Sequence, residues 1–66
     1  MARLVKRVNN YGVYELDKRE CEENYRDYPT FVAWDWRDTE SVGDMYLTEN
    51  ESGTLEEMDE WLKKYA

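Results

Sequence analysis

The chain has 66 residues, enough for one domain covering residues 1–66 and too few for a second. Its formal net charge of −7 argues against nucleic acid and anionic lipid as direct partners, because both are polyanions. It has no histidine and a single cysteine, so the commonest general base and metal ligand is missing and no internal disulfide can form.

Signals for export or membrane insertion are not visible in the sequence. The longest apolar run, residues 31–34, is far too short to span a membrane, and no apolar region follows the early basic residues as in a signal peptide. With one thiol and no targeting signal, we expect the protein to be cytoplasmic.

The first predicted elements form a β-hairpin. Leu4–Val8 and Val13–Leu16 have the composition of strands. Residues 9–12 between them begin with asparagine and end with Gly12, which is typical of a type I turn closed by a left-handed glycine. We therefore predict antiparallel strands joined through a glycine bulge.

The next segment, residues 17–28, is predicted as a short helix, with an irregular acidic connector as the alternative. Asp17 and Glu20 have the spacing of a capping box, in which each side chain bonds to the backbone N–H of the other residue. The apolar stripe of such a helix would consist of Cys21, Tyr25 and Tyr28.

Two further strands are predicted after this segment. Thr30–Arg37 is rich in β-branched and aromatic residues, and Met45–Thr48 has a similar but shorter pattern. In the longer strand, Val32, Trp34 and Trp36 share one face, whereas Phe31, Ala33 and Asp35 share the other. We expect the face with the two tryptophans to pack beneath the C-terminal helix.

The C-terminal helix has the clearest signals. Thr54 is its predicted N-cap, and Glu57 completes a second capping box. Its apolar stripe consists of Leu55, Met58, Trp61, Leu62 and Tyr65.

Together these elements predict an α+β fold in the order ββ(α)ββα. It consists of a small antiparallel sheet of about four strands with the C-terminal helix packed on one face. The predicted core is Leu4, Val8, Tyr14, Leu16, Val32, Trp34, Trp36, Met45, Leu47, Leu55, Met58, Trp61 and Leu62.

Charge is strongly segregated along the chain. The charged residues among the first 19 are mostly basic, five against two acidic, whereas residues 38–62, which we call the acidic segment, contain no lysine or arginine. A solvated surface is the ordinary interpretation, but ordinary surfaces mix both signs, and a concentrated field can be read by a partner. The carboxylates of the acidic segment are Asp38, Glu40, Asp44, Glu49, Glu51, Glu56, Glu57, Asp59 and Glu60.

Catalysis and metal binding have weak support. Cys21 lies among glutamates, which raise a thiol pKa and suppress the reactive thiolate. Residues 38–49 match an EF-hand calcium loop at four positions, but Val42 stands where an oxygen ligand is needed and a strand precedes the loop. We predict no enzyme, no cofactor and no metal site, with calcium binding by this loop as a remote alternative.

The leading functional hypothesis is a non-enzymatic module that presents its carboxylates to a basic surface of another protein. In size and charge the chain resembles the small acidic inhibitors that phages and mobile elements use against host nucleases. That resemblance implies carboxylates standing in for phosphates in a nucleic-acid-binding groove. Exposed tyrosines would anchor the contact, and the predicted anchors are Tyr25, Tyr28 and Tyr46. The alternative is a homo-oligomeric structural or accessory protein that buries spare aromatics between copies.

Overall fold

The computed structural model describes residues 2–38, 43–44 and 47–66 and confirms the predicted α+β fold. A four-stranded antiparallel sheet has the order β1-β2-β3-β4, and a C-terminal helix packs against it. The elements are β1 (Arg3–Val8), β2 (Tyr11–Leu16), α1 (Lys18–Glu23), β3 (Thr30–Asp35), β4 (Asn50–Ser52) and α2 (Leu55–Tyr65). No helix within the described ranges is long and apolar enough to cross a membrane.

The turn between β1 and β2 differs from the predicted one. Val8 pairs with Tyr11, so the loop has two residues, and Asn9 supplies the left-handed conformation with a φ of 52°. Asparagine tolerates this region, so no glycine is needed at the turn. Gly12 is instead a paired residue inside β2, and the register irregularity lies between Leu4 and Lys6.

The helix predicted within residues 17–28 is confirmed, but it is shorter. The Asp17 carboxylate accepts from the Glu20 N–H at 2.8 Å, and the Glu20 carboxylate accepts from the Asp17 N–H at 3.1 Å. The helix ends at Glu23 because the chain turns at Tyr25, whose φ is 57°. Tyr25 and Tyr28 therefore do not share a helical stripe with Cys21, which is buried.

The alternation of side chains along β3 is as predicted, but the helix covers the other face. Phe31 and Ala33 pack with Val13 of β2 and with Met58 and Leu62 of α2. Since β3 is apolar on both faces, a period of two cannot tell which face receives the helix.

The face of β3 that carries Trp34 lies on the side of the sheet opposite α2. Val32 and Trp34 form a second cluster there with Leu16 and Cys21. The Trp34 indole N–H donates to the Asp44 carbonyl at 3.1 Å, so residue 44 supplies the partner that a buried indole needs.

The fourth strand lies later in the chain than predicted. β4 covers Asn50–Ser52, whereas Leu47 lies in a helical turn and Thr48 is outside any strand. Met45 and Tyr46 lie outside the described residues. β4 pairs with β3 along one side only, so backbone hydrogen bonds rather than apolar side chains define this polar edge strand.

The buried core overlaps the predicted one in part. Leu16, Val32, Trp34, Met58 and Leu62 are buried, whereas Val8, Tyr14, Trp36 and Trp61 are partly buried. Leu4, Leu47 and Leu55 are wrong predictions, since they are 47%, 50% and 36% exposed. Met45 lies outside the described residues. The prediction missed Val13, Phe31 and Ala33, which lie on the face that α2 covers, and Cys21, which is the buried residue of α1.

Candidate protein-binding surface

Two carboxylates of the acidic segment are held in ion pairs that tie the fold together. Lys6 of β1 pairs with Asp59 of α2. Arg26 donates two hydrogen bonds to Glu51 of β4, with the Arg26 Nε–Glu51 Oε2 distance at 2.9 Å. These carboxylates therefore have a structural role inside the molecule, which the linear charge pattern did not indicate.

Other predicted site residues remain on the surface. Glu49, Glu56 and Glu57 are exposed, and no ion pair joins any of them to a described lysine or arginine. Glu60 lies 3.6 Å from Lys63, but both side chains are about three-quarters exposed, so solvent screens the pair. Asp38 and Asp44 are exposed as well, and Glu40 lies outside the described residues.

The exposed carboxylates lie on neighbouring parts of the fold. The Glu49 N–H donates to the Ala33 carbonyl at 2.8 Å, which places Glu49 beside β3 just before β4. Glu56 and Glu57 occupy the first turn of α2, which begins after a short link from β4. The positive end of the helix dipole favours negatively charged side chains at that position.

An open cleft of about 320 Å³ lies between α2 and β4, and we call it the α2–β4 cleft. Its aromatic wall is formed by Trp61 and Tyr65, whose ring centroids are 5.2 Å apart. Tyr11 contacts the Trp61 ring edge-to-face, with the ring centroids 5.3 Å apart. The remaining lining residues are Asn50, Glu51, Ser52, Glu57, Glu60 and Lys64.

Sequence reasoning missed this cleft because it assigned Trp61 to the core. In the fold, Trp61 is only partly buried and Tyr65 is 62% exposed. The sequence feature that could have indicated the cleft is the width of the apolar stripe on α2, which exceeds what the sheet buries. Its first and last members, Leu55 and Tyr65, are both exposed.

Tyr25 and Tyr28 are exposed, as their assignment as anchors requires. Tyr25 is 98% exposed and lies where glycine is usual at a helix C-terminus: the Arg26 N–H donates to the Cys21 carbonyl at 2.8 Å across it. Tyr28 is 49% exposed. Tyr46 lies outside the described residues.

The Tyr28 side chain also has intramolecular partners. Its hydroxyl donates to the Glu15 carboxylate at 3.3 Å, and the Glu15 charge raises the pKa of Tyr28. The Lys18 ammonium lies 5.7 Å from the centroid of its ring. Tyr28 is thus partly engaged, whereas Tyr25 projects freely into solvent.

Trp36 has an intramolecular cation partner too. The Arg7 guanidinium lies 4.5 Å from the Trp36 ring centroid, so this ring is covered by a side chain of the same chain. Trp34 is only 3% exposed. Trp34 in β3 and Trp36 just after it therefore do not form an open aromatic surface.

The described surroundings of Cys21 and of the calcium-like loop give no support to catalysis or metal binding. Cys21 is 1% exposed and packs in the second core cluster. The described part of the chain contains no cluster of three or more cysteine or carboxylate groups able to hold a metal ion. Residues 39–42 and 45–46 of the calcium-like loop lie outside it, and the elements on either side of the loop are β3 and β4, not helices.

No protein family model matches the chain, and neither a curated protein nor a solved structure matches it significantly.

Proposed function

We propose that this protein is a non-enzymatic binding module that docks its acidic surface onto a basic surface of another protein. The supporting observation is that, within the part of the chain that the structure describes, intramolecular ion pairs engage some lysines and arginines but leave several carboxylates exposed and unpaired. Lys6 and Arg26 are paired inside the fold, while Glu49, Glu56 and Glu57 stay exposed and form no ion pair with a described lysine or arginine. The chain has 16 acidic residues against 9 basic ones, so folding leaves a net anionic exterior.

The natural target for such a surface is the groove of a nucleic-acid-binding protein. A groove of this kind has lysines and arginines spaced to neutralise phosphates. Carboxylates on a folded scaffold satisfy the same cations without the entropy cost of ordering a flexible chain. We therefore propose an inhibitor that occupies the groove in place of DNA or RNA.

Tyr25 is the proposed anchor of the contact. Acidic side chains steer association and give specificity, whereas desolvated aromatic rings supply much of the binding energy in protein interfaces. The Arg26–Glu51 pair joins the loop that carries Tyr25 to β4, so this ring and the acidic segment belong to adjoining surface.

An association of identical copies is the second candidate. The exposed apolar side chains Leu4, Leu47 and Tyr65 favour it. We predict that calcium leaves the melting temperature unchanged, because Val42 supplies no oxygen ligand to the loop of residues 38–49.

The test begins with affinity capture from the native host and identification of the captured protein by mass spectrometry. Binding of the purified partner is then measured for two double variants with equal charge. Glu56→Gln/Glu57→Gln alters the start of α2, and Glu22→Gln/Glu23→Gln alters two adjacent exposed glutamates of α1. Each variant moves the formal net charge from −7 to −5, since two carboxylates are lost.

We expect the α2 variant to bind several-fold more weakly, mainly through a slower association rate, and the α1 variant to bind nearly like the parent. Binding by the parent should fall as salt rises, and the protein should displace nucleic acid from the partner. Equal binding by the two variants, or a complex indifferent to salt, would reject the acidic-surface proposal. Sedimentation then tests self-association, which should depend little on salt.

A further inference from the structure

The α2–β4 cleft combines two features that together suit a cation. Its wall is the Trp61–Tyr65 pair, and the face of an aromatic ring attracts cations. Glu57 lies three residues before Glu60 and four before Trp61, so it is a neighbour of both on the surface of α2, and all three residues line the cleft. Tyr11 braces the Trp61 ring, so the wall is in place before a ligand arrives.

The same chain already pairs cations with aromatic rings elsewhere. Arg7 lies over Trp36, and Lys18 lies over Tyr28. Over the rings of the α2–β4 cleft, in contrast, no cation of the described chain is stacked, although carboxylates line the cleft. The cleft therefore has the chemistry of these internal pairs and an open position for a cation from outside.

The charged side chains that line the cleft differ in whether they already have an ion-pair partner in the fold. Glu51 is engaged by Arg26, and Glu60 has only the screened contact with Lys63. Glu57 is exposed and has no ion pair with a described cation. Lys64 also lines the cleft, and its positive charge should weaken the binding of a cation there.

We propose that the α2–β4 cleft receives an arginine side chain of the basic partner, with the guanidinium stacked on Trp61 and Tyr65 and bonded to Glu57 and Glu60. This inference rests on the proposed function and gives it a specific contact. Arginine suits the cleft better than lysine because its flat guanidinium stacks on rings and bonds carboxylates at the same time. A cleft of about 320 Å³ has room for one such side chain.

The test uses short peptides rather than the partner. Acetyl-Gly-Arg-Gly-amide is titrated into the full-length protein at low salt, and the indole N–H resonances of the tryptophans are followed by NMR. The matched probe has citrulline in place of arginine, which keeps the shape and removes the charge. We expect the arginine peptide to shift the Trp61 resonance saturably and the citrulline peptide to leave it in place.

Three variants then locate the contact. Glu57→Gln should weaken binding of the arginine peptide about threefold to fivefold, the size expected for one exposed charge contact. Glu56→Gln is its control, because this neighbour has the same charge but does not line the cleft. Lys64→Gln should strengthen binding by removing a like charge. The cap bond from the Glu57 backbone N–H to Thr54 survives in every variant, so folding should be preserved.

Equal effects of the Glu56 and Glu57 variants, equal binding of the citrulline peptide, or an unchanged Trp61 resonance would each overturn the arginine subsite. The proposed function is tested separately with the whole partner. If the acidic surface binds the partner while the peptide leaves Trp61 unaffected, the subsite is wrong and the function stands. If the peptide binds the cleft but the two charge variants bind the partner equally, the proposed function is wrong, and the cleft is an arginine-binding site without the proposed role in docking.

Discussion

The indole of Trp36 packs edge-on against the backbone of Gly12. A Cβ atom built on Gly12 would lie 1.9 Å from the Trp36 Nε1 atom, far inside van der Waals contact. The Trp36 backbone N–H donates to the Asn10 carbonyl, and Arg7, which pairs with Gly12 across the hairpin, covers the ring. Glycine is therefore required at position 12, near the start of β2, for close packing and not for a turn.

Replacing Gly12 with alanine should destabilise the domain. The added methyl group must displace the Trp36 ring or the strand, and overpacking of this kind costs about 1–3 kcal/mol. Thermal denaturation followed by circular dichroism should show a clearly lower melting temperature. Gly53→Ala is the control, because a Cβ there meets no atom within 4 Å and should have little effect.

The mechanism is checked by a double variant. If the methyl group acts through the indole, Gly12→Ala should cost much less in a Trp36→Leu background than in the parent. Additive losses in the free energy of unfolding would show that the two residues do not act on each other.

The start of α2 offers a second stability test. The Thr54 hydroxyl accepts from the Glu57 backbone N–H at 3.1 Å, and the reciprocal bond found in α1 is not formed in α2. Thr54→Ala should therefore cost about 0.5–2 kcal/mol of unfolding free energy, and Thr54→Ser should retain most of it. Equal melting temperatures for the parent and the alanine variant would contradict the assigned helix start.

Asp35 should make stability depend on pH in the acid range. The Arg37 side chain donates to the Asp35 carboxylate at 2.6 Å and its backbone N–H at 2.9 Å, and both bonds hold the pKa of Asp35 below its ordinary value of 3.8. A depressed folded pKa stabilises the protein above the unfolded pKa, and that contribution is lost as pH falls through the folded value.

Urea denaturation at several pH values measures this contribution. The difference in unfolding free energy between the parent and Asp35→Asn should be largest near neutral pH and should shrink below about pH 4. A difference that stays constant down to about pH 2 would show that the carboxylate charge contributes nothing.

Tyr25 should limit stability while supporting binding. A tyrosine in the left-handed region is strained, and glycine is not. Because the Tyr25 side chain is almost fully exposed, Tyr25→Gly removes little packing and should stabilise the fold by about 0.5–1 kcal/mol. Its affinity for the captured partner should nevertheless fall, as measured by titration calorimetry.

Tyr65→Ala tests the aromatic wall of the α2–β4 cleft in the same calorimetric assay. Removing this ring should lower the affinity for the partner and leave the conformation of the loop after α1 unchanged. If the Tyr25→Gly variant binds the partner as tightly as the parent does, the Tyr25 ring is not part of the contact.

Local signals in the sequence predicted the helices and their starts. Both N-caps depend on residues three apart, so Asp17 with Glu20 and Thr54 with Glu57 could be recognised without knowledge of the fold. The α+β class and the alternation along β3 likewise follow from periodicity, which is a property of neighbouring residues.

The ends of elements and the outer strand were harder to predict. β4 consists of Asn50–Ser52, which has no apolar pattern, and only pairing with β3 makes it a strand. α1 stops at Glu23 because Tyr25 adopts a conformation that tyrosine rarely takes. Neither feature has a signal in its own residues.

For the candidate site, the sequence predicted only a concentration of negative charge. The sequence by itself determined that the chain is acidic, that its carboxylates are concentrated in residues 38–62, and that its cations come mostly earlier. The tertiary structure decided that Asp59 and Glu51 are neutralised by Lys6 and Arg26, while Glu57 and Trp61 line the same cleft. Ion pairs and clefts join residues far apart in the chain, and only folding decides which distant side chains meet.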